Sequence, residues 1–219
     1  MAIFSLSREQ SRWLSLLSLS AAAVALLVTR PRDWLDDSDT PATTCLTNLA
    51  RISRAVSLYE RDYDEHLPRG VDPDDRFDPR EWQNDQNAAE GRYFAQQSAS
   101  TPFLHDILFP YTGSREVFHC PCDVGWETSK LFVDPNRPEN SPGVQNVSPS
   151  SYAEFGTSYY YATMDGFDLL TPADFVNPSR SALLFDGDTW HGPSHSQLNC
   201  LFVDGHASMV GLSEFRADF

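Results

Sequence analysis

The chain has 219 residues, 41% of them apolar, which is enough for one domain of ordinary size plus an appendage and for a real core. Its formal net charge is −15 and its isoelectric point is near 4.6. An excess of carboxylates repels phosphate backbones, so a basic nucleic-acid groove is excluded as the main business of the protein, while cations are drawn in.

Trp13 to Val28 (WLSLLSLSAAAVALLV) carries no charge and is flanked by Arg8 and Arg12 on one side and Arg30 and Arg32 on the other. An uncharged apolar run of this kind predicts a membrane-inserting helix, slightly short of the roughly 20 residues that span a bilayer comfortably. Thr29 to Asp33 make a poor signal-peptidase site, so a retained anchor is expected. Basic residues on both flanks leave the orientation open. The four cysteines suit an oxidising compartment and put the bulk of the chain outside the cytoplasm, in the periplasm or at the cell surface. Residues 1–40 are thus expected to be anchor and acidic spacer, and 41–219 an extracytoplasmic domain.

From Cys45 the pattern becomes helical. Leu49, Ile52, Val56, Tyr59 and Tyr63 follow at alternating four- and three-residue steps, which stacks them on one face. Thr43 or Thr44 is the expected N-cap, Arg51, Arg54, Glu60, Arg61 and Asp62 fall on or beside the wet face, and Pro68 sets the stop. Gly70 to Ser100 is polar and predicts a long surface excursion. Within it Asp72, Asp74, Asp75 and Asp78 form an acidic block without the glycine and glutamate spacing of a calcium-binding EF-hand, as expected of charges that stay in water. Phe103 to Tyr111 is a short helix-like run, and Val133 to Ser151 is loop-rich in Pro, Asn and Ser. Strand-like runs follow at Ser158 to Ala162, Ala182 to Asp186 and Asn199 to Val210. In the last, Asp204-Gly205 predicts a two-residue hairpin turn. The fold class is α+β: a long amphipathic helix packed on an antiparallel sheet.

Three separated segments resemble bacterial pilin-like proteins of the type II secretion pseudopilin group. They are Cys45-Leu46-Thr47-Asn48-Leu49 through Tyr59, Asp62, Asp64, Leu67 and Pro68; Phe118 to Asp123, matching a Phe-x-Cys-Pro-x-Asp segment; and Asn199 to His206, matching the terminal cassette of the subgroup named for His, nine residues, then Asp-Gly. Ser158 to Tyr161 and Pro178-Ser179 through Phe185-Asp186-Gly187 fit more loosely. Two features depart from the template: eight residues rather than nine lie between His195 and Asp204, and no prepilin-peptidase site with its glutamate precedes the apolar run. The resemblance implies a structural or assembly role at the cell envelope with no enzymatic activity, and other pilin-like subunits or secretion machinery as partners.

The chemistry-bearing residues leave alternatives. Four cysteines allow three connectivities, or none if all stay reduced. Cys120-Pro121-Cys122 is too tight for the usual zinc knuckle or redox pair. The resemblance implies Cys45 with Cys120, the two that match the template, which leaves Cys122 with Cys200. Asp186, Asp188, His191, His195, Asp204 and His206 are the densest set of potential ligands, able to meet at one sheet end if their strands are neighbours. Of these Asp186, Asp188, His195, Asp204 and His206 are the expected metal set, for calcium, zinc or manganese. Competing functions are a glycan- or cation-binding surface module, using Trp82, Trp126 and Trp190 as stacking platforms, and more distantly a metal-dependent hydrolase.

Overall fold

A computed structural model describes residues 40–78, 88–131 and 143–218. The anchor run Trp13 to Val28, most of the acidic spacer and Trp82 lie outside the described residues. Among the described residues no helix is long and apolar enough to cross a membrane.

Helix α1 spans Pro41–Asp62. It starts earlier than the expected caps: the Thr40 hydroxyl accepts from Thr43 N, and Pro41 occupies the first turn, where a missing N–H costs nothing. The predicted face is the buried one, with Cys45, Leu49, Ile52, Val56 and Tyr59 joined by Asn48 and Ala55. Tyr63 is exposed, its ring stacked 4.1 Å from that of Tyr59. The helix ends as Asp64 and Glu65 enter the left-handed region, before Pro68.

The polar stretch after Gly70 departs from the expected surface excursion. Helix α2 (Pro73–Phe77) is capped by Asp72, and α3 spans Ala88–Ser100. Good helix formers such as Ala95, Gln96 and Gln97 carry α3, and Phe94 buries itself against Phe167, ring centroids 6.3 Å apart. The acidic block is not solvated either: Asp72, Asp74 and Asp78 are buried. Asp72 Oδ2 accepts from Tyr161 N at 3.1 Å, Asp74 Oδ1 from Val144 N at 2.7 Å and Asp78 Oδ2 from Gly143 N at 2.6 Å. These carboxylates staple distant backbone to α2, which their charge-assisted bonds make worth the burial. The run from Phe103 to Tyr111 is helical as expected, in two short pieces, α4 (Leu104–Ile107) and α5 (Phe109–Thr112).

Strands β1 (Trp126–Thr128) and β2 (Gln145–Val147) form a small antiparallel pair, followed by α6 (Ser151–Phe155). The main sheet is an antiparallel meander of β3 (Tyr159–Tyr161), β4 (Ala182–Asp186), β5 (Gln197–Phe202) and β6 (Ala207–Gly211), in that spatial order. A short helix α7 (Thr163–Phe167) leaves β3, and α8 (Leu212–Asp218) closes the chain. The architecture is α+β, with α1 across one face of the sheet and Phe215 of α8 on the other, 4.9 Å from the Phe185 ring.

Strand alternation sorts the side chains between these faces. Tyr159, whose hydroxyl donates to Cys45 O at 3.4 Å, lies on the α1 side, and its register partner Asp186 lies there too. Phe185 and its partner Cys200 face α8. The last hairpin forms with a correction to its turn. Phe202 N donates to His206 O and Gly205 N to Phe202 O, both at 2.9 Å, so the loop is the three residues Val203-Asp204-Gly205. Gly205 alone of these takes positive φ, at 88°, as in a turn followed by a glycine bulge. Ser53 Oγ of α1 donates to Gly205 O at 2.9 Å and fixes the hairpin tip to the helix.

Candidate functional site

The first turns of α1 meet the sheet at a disulfide. Cys45 and Cys120 are fully buried and bonded, with Cα atoms 5.0 Å apart, an ordinary separation for such a bridge. Cys120 reaches this point because the segment around it is tied down at every turn. A 3-10 turn, Glu116–Phe118, precedes it, and Ser158 N donates to Phe118 O at 2.8 Å. Cys120 N donates to Ser158 Oγ at 3.0 Å, and that hydroxyl donates onward to Asp123 Oδ2 at 2.7 Å. Asp123 further accepts from Gly125 N and Ser151 N on Oδ1, each at 3.0 Å, and from Tyr152 N on Oδ2 at 2.8 Å. A carboxylate with its lone pairs this fully used is an anchor for loops, not a group available for chemistry.

Cys122 and Cys200, expected as a second bridge, are both free thiols. The reason is the pleat: Cys200 faces α8, while Cys122 lies with Cys45 and Cys120 on the α1 side. The sulfurs of Cys45, Cys120 and Cys122 and a ring nitrogen of His191 all lie within 4.8 Å of one another. Cys122 is the partly exposed member of this group.

His191 Nε2 is crowded. Asp186 Oδ2 lies 3.1 Å from it, Asn199 Nδ2 2.9 Å and Cys120 Sγ 3.4 Å. One nitrogen can serve these neighbours only one way at a time: protonated, it donates to Asp186; unprotonated, it accepts from Asn199. Asn199 N also donates to Asp186 Oδ2 at 2.6 Å. Among the described residues, Asp186 Oδ1 and Asn199 Oδ1 are buried without a hydrogen-bond partner. Burial pushes the Asp186 carboxyl above its ordinary range, against the opposing pull of the His191 hydrogen bond. Burial, with Asp186 nearby, also raises the Cys122 thiol, which is therefore a protonated and weak nucleophile at neutral pH. A triad-like relay is not built here, because Asp186 and Cys120 approach the same ring nitrogen.

The ligand set expected from sequence does not assemble. The strands of Asp186 and Asp204 are neighbours, but antiparallel register pairs Ala182 with Phe202, so Asp186 ends β4 at one end and Asp204 follows β5 at the other. Five residues of strand separate them by about 13 Å or more. Asp204 and His206 form an exposed local pair, Oδ1 to Nδ1 2.5 Å, with the His206 ring stacked on Phe202. Asp188 is half of a loop clasp, accepting from Lys130 N at 2.9 Å. His195 packs back on its own loop, Nδ1 3.1 Å from Trp190 O. Of the wider set, Asp186 and His191 form the buried pair, and they come together with cysteines. Trp126 and Trp190 are buried and tilted against each other, 5.9 Å between centroids, so neither presents a face to a sugar.

From sequence, Asn199 is not singled out and the cysteines are not joined to His191; the Cys120-Pro121-Cys122 pair is set aside as too tight for a zinc knuckle. That signal was present: two sulfurs one residue apart beside a third cysteine on a helix. Next to the group runs an open groove of about 630 Å3 between α1 and the α5 region, lined by Asn48, Arg51, Arg54, Tyr111, His119 and Pro121 among others. Compared with protein-family models, with curated proteins and with solved structures, the chain has no match in any of the three.

Proposed function

We propose that the protein is a membrane-anchored, extracytoplasmic pilin-like subunit with a structural or assembly role at the cell envelope and no enzymatic activity of its own. The observation that carries this is the way α1 is mounted. A helix of 22 residues, about 33 Å long, lies on an antiparallel sheet, with its first turns bolted to the sheet side by the Cys45–Cys120 bridge. A load passed along the helix from the N-terminal segment enters the domain at a covalent joint. The bridge also supports the extracytoplasmic reading, since such bonds persist in oxidising compartments. Two of the segments that resemble pseudopilins, the Cys45 helix and the Phe118 to Asp123 loop, build this joint, and the third, the terminal hairpin, is tied to the same helix through Ser53. A glycan-binding module draws no comparable support, given buried Trp126 and Trp190.

Mild amine- or carboxyl-directed crosslinking in native membranes tests the reading. A ladder of multiples of the chain, or a defined product with other envelope subunits, is the expected result. A monomer recovered with isolated wall polysaccharide, and released from membranes by salt alone, refutes it.

A further inference from the structure

We propose that Cys45, Cys120, Cys122 and His191 form a site for a soft, thiophilic cation, zinc being the probe, which opens when the Cys45–Cys120 bond is reduced and closes when it is oxidised. This lies beyond the assembly role and does not depend on it.

The donor set fits the ion. Three thiolates and an imidazole are a familiar zinc complement, and they are the wrong complement for calcium, which takes oxygen ligands. A tetrahedral zinc with bonds of about 2.3 Å holds its sulfurs roughly 3.8 Å apart. All four donor atoms already lie within 4.8 Å of one another. On reduction the Cys45 and Cys120 sulfurs need to part by only about 1.7 Å, a movement that side-chain torsions supply. The surroundings fit as well. Asp186 brings a carboxylate to within 3.1 Å of the ligand nitrogen, and its Oδ1 is buried without a partner, as is Asn199 Oδ1. Asp186 approaches the same ring nitrogen that would bind the metal, so on binding it gives up that contact and faces the dication itself, which attracts its carboxylate. The partly exposed Cys122 marks the way in, next to the groove that Pro121 lines.

The chemistry balances. An external dithiol gives two electrons and two protons to the Cys45–Cys120 bond, which breaks into two thiols, and the dithiol leaves as its own disulfide. Zinc then displaces one proton from each of Cys45, Cys120 and Cys122 and takes the Nε2 lone pair of neutral His191, which gives up Asn199 Nδ2. In the reverse direction an external disulfide takes two electrons from the Cys45 and Cys120 thiolates and, with two protons, leaves as its dithiol; the bridge re-forms, the Cys122 thiolate takes up a proton and the metal is released. The site thus couples the redox state of the compartment to the stiffness of the α1 joint.

The test uses the full chain in detergent, oxidised or reduced with a phosphine, exposed to excess zinc and gel-filtered, with metal counted by mass spectrometry. Cobalt substitution reads the ligands through its thiolate charge-transfer and tetrahedral visible bands, and melting curves report whether the reduced chain is folded. The expected result is one zinc per reduced chain and none per oxidised chain, with tetrahedral cobalt bands and a melting temperature that zinc raises and a chelator lowers. Cys122→Ser, which keeps the disulfide, should lose zinc binding and the zinc-induced rise together. Equal zinc uptake by oxidised and reduced chains, uptake unaffected by Cys122→Ser, or cobalt bands without thiolate character would each overturn the proposal. Binding by the acidic surface alone gives all three of these results.

Discussion

Deleting the Cys45–Cys120 bridge is the most direct probe of how α1 is held. The bond closes a loop with a sequence separation of 75. In the chain-entropy treatment a loop of that size restricts the unfolded ensemble by about 4.5 kcal/mol at 25 °C. Single domains are stable by only about 5–15 kcal/mol, so the loss takes a large share of the total. For a unit of this size each kcal/mol moves the midpoint by about 2–4 °C, and the double variant Cys45→Ala/Cys120→Ala should melt roughly 9–18 °C lower. The comparison belongs in a Cys122→Ser background with a chelator present, so that neither exchange with the third thiol nor a metal masks the effect. Urea titration should show a lower midpoint, and near-ultraviolet circular dichroism below the transition should be unchanged, because the bond acts mainly on the unfolded chain. A fall below about 1 kcal/mol would refute the argument. So would loss of the native aromatic signal at low temperature, which would mean that the bridge holds the native packing itself.

Gly205→Val forces a β-branched residue to φ 88° and puts a Cβ 3.0 Å from Ser53 Oγ, so a loss of about 2–3 kcal/mol is expected. An unchanged urea midpoint would show that the hairpin tip does not hold this conformation. Asp123→Asn should cost about 1–3 kcal/mol. Its best rotamer points the amide at Ser158, which can turn to accept, and at Tyr152 N, which cannot. Faster alkylation of Cys122 in that variant would report loosening of the loop, and an unchanged rate would argue that Asp123 does not hold it. Burial, with Asp168 close by, raises the Asp165 carboxyl from 3.8 to about 6. Between these values the folded chain binds the extra proton, so stability falls as pH rises through the window and stays lower above it. Asp165→Asn should therefore match the native chain near about pH 4 and exceed it by roughly 1 kcal/mol near about pH 7, after allowing for solvent screening. Parallel melting curves at both pH values would refute the assignment.

Much of the scaffold was legible because it is local. The face of α1 follows from apolar residues at helical spacing, whatever they pack on, and Cys45, Leu49, Ile52, Val56 and Tyr59 are buried as that spacing requires. Tyr159–Tyr161 is wholly aromatic and Ala182–Asp186 is a short apolar run closed by Asp-Gly, so both announce themselves as strands. The hairpin turn was placed correctly by Gly205 but given the wrong length. A glycine marks positive φ, while the choice between two and three loop residues depends on how Phe202 and His206 pair.

The sequence by itself determined elements and their apolar faces, since period and turn chemistry act over a few residues. Which polar groups share a point in space was decided by the tertiary structure. Asp72, Asp74 and Asp78 look like solvated charge until Tyr161, Val144 and Gly143, far along the chain, bring backbone N–H groups to them. Asp186 ends β4 and Asp204 follows the neighbouring β5, yet antiparallel register puts them at opposite ends of that strand pair. Alternation guarantees that Asn199 and Cys200 point apart, but only the seating of α1 on one face decides that Asn199 joins Cys45, Cys120, Cys122 and His191 while Cys200 is left with α8. A ligand set is a long-range coincidence of register and face, and neither is written in the spacing of residues along one segment.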